Sequence, residues 1–210
     1  MTVDYTPWTY HWQLLQGSKT TIDDDVKVIP VDYSDKESIK VALAGIDVVI
    51  STIASVALGS QVGIAEAAKE AGVKLFIPSE FGWPTEGATE GLFGAKSRVQ
   101  DQLKSVGIPY ALFYTGPHID GLWGPYAIYI VRLTSDLPLC RFVDLDLRSG
   151  KVSVGGDGNM RFSFTSRPDI ARYLSYVLTH LSSEQLSGRS FKIAGDTKVG
   201  GYKQSLLDSA

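Results

Sequence analysis

A lysine stands fourteen residues after the end of a segment whose short apolar run is stopped by proline. The run is Leu75, Phe76 and Ile77, inside VKLFIPSEFG at 73–82, and the lysine is Lys96. Three consecutive apolar residues predict a buried strand of a parallel sheet. Pro78 has no N–H to give to a sheet ladder, so the strand is expected to stop there. Pro78, Ser79, Glu80, Phe81 and Gly82 then fall at the strand's carboxyl end, the edge at which open α/β sheets bind ligands. An amine held partly out of water near that edge has a lowered pKa and exchanges protons near neutrality. It would serve a redox site as general acid/base. The plainer reading of Lys96 is a solvated lysine on a helix face.

Other chemistries are absent from the pattern. There is no G-x-G-x-x-G after a strand, no P-loop, no H-E-x-x-H and no nucleophile elbow. Three histidines and one cysteine, Cys140, at scattered positions predict no metal site. Position 92 is leucine, so no Tyr-x-x-x-Lys pair precedes Lys96, and no histidine is placed to substitute for it.

The elements that must carry these residues show a strand–helix rhythm. Residues 8–14 alternate as a strand does, with Trp8, Tyr10 and Trp12 on one side. Val26–Val31 reads as a strand. Ser34 with Glu37 reads as a capping box opening a helix to about Ala44, closed by Gly45. Asp47–Ser51 is a second strand and Ser60–Ala71 a helix. The LFIP strand follows, then a helix over 93–106 ended by Gly107, then a strand over 109–115. Such units imply a parallel sheet with right-handed crossovers, with at least four parallel strands over about 26–116. Beyond 116 the rhythm breaks: 116–148 reads as irregular and aromatic. Val152–Val154 and Arg161–Phe164 flank GGDGN and read as a hairpin. Thr165 or Ser166 caps a helix with Pro168 near its start and Asp169 as the acid favoured there. Ile170, Leu174, Val177 and Leu178 form that helix's apolar stripe, and Phe191–Ala194 reads as a last strand.

The bulk numbers are those of an ordinary globular domain. The chain has 210 residues, 44% apolar and 20% charged, with a net charge of −3. That charge leaves no footprint for nucleic acid. No apolar run reaches membrane-spanning length, no signal peptide is legible, and a single cysteine allows no intrachain disulfide. A cytoplasmic location is expected.

Five segments together resemble one family. They are IDVVIST at 46–52, GVKLFIPSEFG at 72–82, FGAKSRVQDQL at 93–103, GIPYALFYTGPHID at 107–120 and GDGNMRFSFTSRPDIARYL at 156–174. They are similar to the isoflavone-reductase-like, or NmrA-like, group of atypical short-chain dehydrogenases, most closely its fungal members, over roughly 26–197. The resemblance implies a Rossmann-like α/β fold that binds NADP, with a small C-terminal α+β substrate region. It implies that Lys96 is the family's catalytic lysine. Plant reductases of the group usually carry a basic residue one helical turn further on; Gln100 stands here, with Arg98 nearby. Under this reading Pro78, Ser79, Glu80 and Phe81 contact the nicotinamide half of the cofactor. Ser51, Thr52 and Ile53 flank its adenine or ribose, and 116–120 borders nicotinamide and substrate. Each has a bland counterpart. Glu80 can cap a helix or pair with a neighbour, Phe81 can be core, and Ser51–Ile53 can simply end a strand. Phe113, Tyr114, His118, Trp123 and Tyr126 read first as packing aromatics, with one or two lining a pocket.

The family begins with a strand, a glycine-rich turn, a helix and a second strand. Against that pattern this chain enters at the third strand and lacks the first βαβ unit, and it departs again after about Lys198. It therefore reads as truncated at both ends: an atypical segment 1–25, a core 26–116, a substrate region 117–197 and a polar tail 198–210. The absent strands would lie between Val26–Val31 and Asp47–Ser51. Either Val26–Val31 moves across to pair with Asp47–Ser51, or residues 8–14 fill part of the gap. Otherwise an open edge invites self-association and lowers stability. The implied function is NADPH-dependent reduction of a small aromatic or conjugated metabolite, with dinucleotide binding weakened by the missing phosphate turn. A non-catalytic dinucleotide sensor that binds protein partners, and an inactive truncated product, are the alternatives.

Overall fold

A computed structural model of the chain describes residues 11–12, 26–118, 120, 143–146, 151–154 and 161–199. Its centre is a run of short parallel strands. β1 (His11–Trp12) pairs in parallel with β2 (Lys27–Val28). α1 (Lys36–Ala42) leads to β3 (Val48–Ile50), and α2 (Ser60–Glu70) leads to β4 (Leu75–Ile77). α3 (Gly91–Val106) then leads to β5 (Leu112–Tyr114). β3 and β4 pair in parallel, Val48 opposite Leu75 and Ile50 opposite Ile77. β4 joins β5 through a parallel bridge between Phe76 and Tyr110. There Phe76 N–H donates to the Pro109 carbonyl at 2.8 Å and Ala111 N–H to the Phe76 carbonyl at 3.2 Å. The expected parallel strands over 26–116 are all present, each in a parallel pairing.

The remaining elements complete the sheet and add two antiparallel pairs. They are β6 (Val143–Asp146), β7 (Lys151–Val154), β8 (Arg161–Phe164), α4 (Arg167–His180), α5 (Ser183–Leu186), β9 (Ser190–Lys192) and β10 (Asp196–Val199). β9 returns to pair in parallel with β5, Phe191 opposite Phe113. The alternation of side chains along the strands divides the core into two faces. Phe76 packs with Ile39 and Leu43 of the α1 side, Ile64, Ala65 and Ala68 of α2, and Val99 and Leu103 of α3. Leu75, Ile77, Ala111 and Phe113 pack with Leu174 and Val177 of α4 and with Leu186 of α5. The result is helix, sheet, helix, in three layers. Among the described residues no helix is long and apolar enough to cross a membrane.

Three expectations are corrected and one alternative is decided. β2 is shorter than the expected strand over Val26–Val31, and Pro30 has no N–H with which to extend a ladder. It does not move across to β3; it pairs with β1, so part of the 8–14 segment is indeed strand. The N-cap of α1 is Asp35, whose carboxylate accepts from Glu37 N–H at 3.0 Å. Ser34 instead donates to Asp32 Oδ1, at 2.8 Å from its N–H and 2.7 Å from its hydroxyl. β7 and β8 do not form a hairpin. β7 pairs antiparallel with β6, and β8 with β10, an element that straddles the expected boundary between the substrate region and the polar tail. A turn-rich stretch shows that the chain can reverse, but the partner of a strand is set by which edges the rest of the fold brings alongside. The expectations for residues 1–10 and 13–25, for Trp123, Tyr126 and Cys140, and for 200–210 lie outside the described residues.

The two-sided core makes Phe76 the most sensitive position on the α1–α3 face, where its side chain is fully buried. Phe76→Ala is expected to cost about 3–5 kcal/mol, a large part of the roughly 5–15 kcal/mol that holds a domain folded. Val56, 89% exposed, serves as the control: Val56→Ala should stay within about 0.5 kcal/mol. Urea denaturation of the three chains checks this, and equal midpoints would contradict the packing described.

Candidate active site

The site grows from one residue, Glu80, and one helix, α3. β4 ends at Ile77 as the proline predicts. The chain then crosses the sheet edge through Pro78 and Ser79, and Phe81 takes φ 34, in the left-handed region that a phenylalanine rarely adopts. The turn is secured from β5: Phe81 N–H donates to the Phe113 carbonyl at 3.0 Å. Within α3, Gly94 lies against the preceding loop so closely that a Cβ there would sit 2.4 Å from the Thr89 carbonyl carbon. Glycine at this point lets the start of the helix lie down on residues 85–90.

Lys96 and Gln100 follow one turn apart on that helix, and both are bound to Glu80. The Lys96 amine donates a short hydrogen bond to the Glu80 main-chain carbonyl. Gln100 Nε2 donates to Glu80 Oε1 at 2.7 Å. Thr85 Oγ1 donates to Glu80 Oε2 at 2.9 Å. The Glu80 side chain is therefore turned inward and is 2% exposed. Burial raises its pKa, opposed by Gln100, by the Lys96 charge and by Thr85. Burial also holds the Lys96 amine below the ordinary lysine range, opposed by the Glu80 carboxylate. Tyr114 Oη lies 3.3 Å from Gln100 Nε2, and its phenol is pushed well up by burial. Arg98 points elsewhere, toward the Thr89 carbonyl at 3.3 Å.

The neighbouring strand ends converge on the same edge. Ser51 N–H donates to the Ile77 carbonyl at 2.8 Å. Ser79 Oγ donates to the Ile53 carbonyl at 2.9 Å, and Ser79 N–H to Gln61 Oε1 at 2.7 Å. Pro78 is buried, Thr52 is exposed, and Ile53 and Phe81 are half-buried. The Ser51 hydroxyl is buried and has no hydrogen-bond partner. From β5, Thr115 and Gly116 N–H both donate to the Gly82 carbonyl, at 2.9 and 3.0 Å. Every predicted site residue thus lies at the carboxyl edge of β3 and β4 or beside it on α3. The donors of Ser79 and the carboxylate of Glu80 are already taken up within the protein. Of the others, the Ser51 hydroxyl is buried without a partner, and the Lys96 amine is held on a main-chain carbonyl. For the pyrophosphate, the sequence offers no glycine-rich turn. Among the described residues no cluster of histidine, cysteine or carboxylate suits a metal ion.

The sequence reading passed over Gln61 and Thr85, took Thr165 as a candidate cap, and read Tyr114 and His118 first as packing aromatics. A signal existed for Gln61 and Gln100. Each is a polar residue on the buried stripe of its helix, Gln61 in line with Ile64, Ala65 and Ala68, Gln100 with Leu103. A buried amide needs internal partners. No local pattern marks His118, whose position depends on how the β5 turn crosses the edge.

Parallel strands between helical layers, with the polar residues at their carboxyl edge, define a Rossmann-like α/β protein. The chain belongs to the NmrA-like family, whose model matches residues 14–198. It is 34% identical over 157 residues to an isoflavone reductase homolog, P3, of Arabidopsis thaliana, covering 72% of this chain and 47% of the relative. It is 31% identical over 167 residues to phenylcoumaran benzylic ether reductase PT1 of Pinus taeda, covering 77% and 49%. The chain spans about half the length of these relatives. The fold is shared with the leucoanthocyanidin reductase–NADPH complex of Vitis vinifera, with a TM-score of 0.57, 18% identity, and coverage of 80% of this chain and 53% of that one.

The buried carboxylate gives a prediction with a definite sign. A folded-state pKa raised above the unfolded value means that the native state holds the proton longer. Stability is then lost as pH rises from about 4.3 through the folded value of Glu80. Glu80→Gln removes that component. Relative to the variant, the natural chain should be more stable near pH 4 than near pH 7. Denaturation midpoints of both chains at the two pH values check this, and parallel pH profiles would contradict it.

Proposed function

We propose that this chain is an NAD(P)H-dependent reductase of a small aromatic or conjugated metabolite, with Lys96 as general acid/base. The observation that carries this is the Lys96 amine itself: partly buried, depressed in pKa by desolvation, and held on the Glu80 carbonyl at the sheet edge. Membership of the NmrA-like family and relatives named as reductases support the redox class. NADPH bound there would supply the hydride. Lys96 holds the proton, gives it to the substrate oxygen or carbon that the hydride leaves basic, and is reprotonated from solvent. The Glu80 carbonyl keeps the amine in one place. The half-buried ring of Phe81 offers an apolar wall for a flat ligand.

Two outcomes are expected. Lys96→Ala should lower the rate about 10²- to 10⁴-fold while circular dichroism shows the fold unchanged; a rate within a few-fold of the natural chain would remove Lys96 from the chemistry and favour the dinucleotide-sensor reading. Without a glycine-rich turn to hold pyrophosphate, the 210-residue chain should bind NADPH more weakly than about 1 μM. Fluorescence titration with NADPH and NADH measures this, and tighter binding would mean that another segment supplies the phosphate site.

A further inference from the structure

We propose that Gln100 is the positioning residue for Lys96, placing the amine by registering α3 against Glu80; the role rests on reading Lys96 as the general acid/base. Gln100 is 2% exposed, so it does not reach a ligand itself, whereas Lys96, one turn earlier, is half-buried. Its amide nitrogen donates to Glu80 Oε1 and to Thr85 Oγ1, each at 2.7 Å. An amide nitrogen has two hydrogens, and these contacts take both, so Tyr114 Oη at 3.3 Å is left outside the pair. The Thr85 hydroxyl gives its own hydrogen to Glu80 Oε2 at 2.9 Å. Amide, hydroxyl and carboxylate therefore close a ring in which every hydrogen has one place. The ring also fixes which way the amide faces, because turned over it would set a carbonyl against a carboxylate oxygen.

The Lys96 amine and its acceptor are held from different sides. The acceptor is the Glu80 carbonyl. The N–H of the same peptide plane, that of Phe81, donates to the Phe113 carbonyl of β5 at 3.0 Å, so β5 holds the plane. The amine travels with α3. Val99 and Leu103 pack with Phe76 and choose the helix face that meets the sheet. Apolar contact is non-directional, so it leaves the helix free to slide and roll slightly. Two further polar ties run to the loop before the helix. Gly87 N–H donates to Ser97 Oγ at 3.2 Å, and Arg98 to the Thr89 carbonyl at 3.3 Å. Among the described residues, Gln100 is the one side chain of α3 besides Lys96 that bonds Glu80. Positions 96 and 100 share a helix face, so a directional bond at 100 sets where the amine of Lys96 meets the carbonyl. The amide does this without charge. A basic side chain there would grip the carboxylate too, but it would put a second cation one turn from the amine.

Nuclear magnetic resonance of the lysine side-chain amines, in the chain without cofactor, tests this. The readout is the exchange of the Lys96 ammonium hydrogens with water, assigned through Lys96→Met. Gln100→Met keeps the side chain's length and loses the amide. It should speed that exchange about tenfold or more, the size expected for losing a hydrogen bond from a charged group. Thr85→Val is the comparison. It takes a donor from the same buried carboxylate and lowers stability, but it leaves α3 registered, so exchange at Lys96 should stay as in the natural chain. No acceleration in Gln100→Met, or as large an acceleration in Thr85→Val, overturns the proposal, because Gln100 would then only fill a lone pair of Glu80. If the methionine chain does not fold, Gln100→Asn decides. It keeps an amide but withdraws it by one methylene, and it should also speed the exchange; unchanged exchange there overturns the proposal. The readout needs no turnover. A chain that shows it yet reduces nothing counts against the reductase reading alone. A chain that turns over while Gln100→Met leaves the exchange unmoved counts against Gln100 alone.

Discussion

Glu80 is bound to α3 twice, and the rest of the site depends on that double attachment. Its carboxylate takes the amide of Gln100, and its main-chain carbonyl takes the amine of Lys96. Positions 96 and 100 are four residues apart, so they project from one face of the helix one above the other. Two bonds from a single residue to that face fix both the rotation of the helix and its height over the sheet. Neither bond alone does so. The strand that leads into Glu80 is buried at all three residues, which gives the anchor a fixed base.

The arrangement also sets the electrostatics. A carboxylate taken out of water is costly unless its lone pairs are filled. Here Thr85 and Gln100 fill them with neutral donors. The amine shares the same low-dielectric surroundings, where its charged form is disfavoured. A carboxylate pushed up and an amine pushed down, joined through one residue, make a pair whose protonation responds to small changes in charge nearby. A nicotinamide or a substrate oxygen brings such a change.

The convergence of three strand ends explains why these loops can hold strained or crowded backbone. The loop after β3 is tied to the loop after β4 through Ser79, which bonds both the Ile53 carbonyl and the Gln61 side chain. The loop after β4 is tied to the loop after β5 through the Gly82 carbonyl. The β5 loop is tied to the start of α4 through Thr165. Asp120 then accepts the otherwise unpaired N–H of Arg167 at 2.5 Å, capping α4 from the site side. Each loop is held by the next, so the left-handed residue at Phe81 sits in a frame that over-determines it.

Much of this was legible in the chain alone. The apolar triplet at 75–77, the proline that stops it, the helix with its closing glycine at 107, and the cap and proline of α4 are local signals. They report local physics: which residues cannot donate to a ladder, which accept φ > 0, which cap a helix. Lys96 was found by its spacing from that strand, because a strand, a loop and a helix start leave few places for it to go. Tertiary structure decided the rest. Whether Glu80 faces in or out depends on Gln100 and Thr85, twenty and five residues away. The partners of β1, β7 and β8 depend on which edges meet, since an unpaired strand presents the same donors and acceptors to any neighbour. His118 comes to lie beside Thr165 only because β8 runs up to the turn that crosses the edge at Gly116. Hydrophobic spacing fixes what a segment becomes; long-range contacts decide which side chains it meets, and the chemistry of this site lies in those meetings.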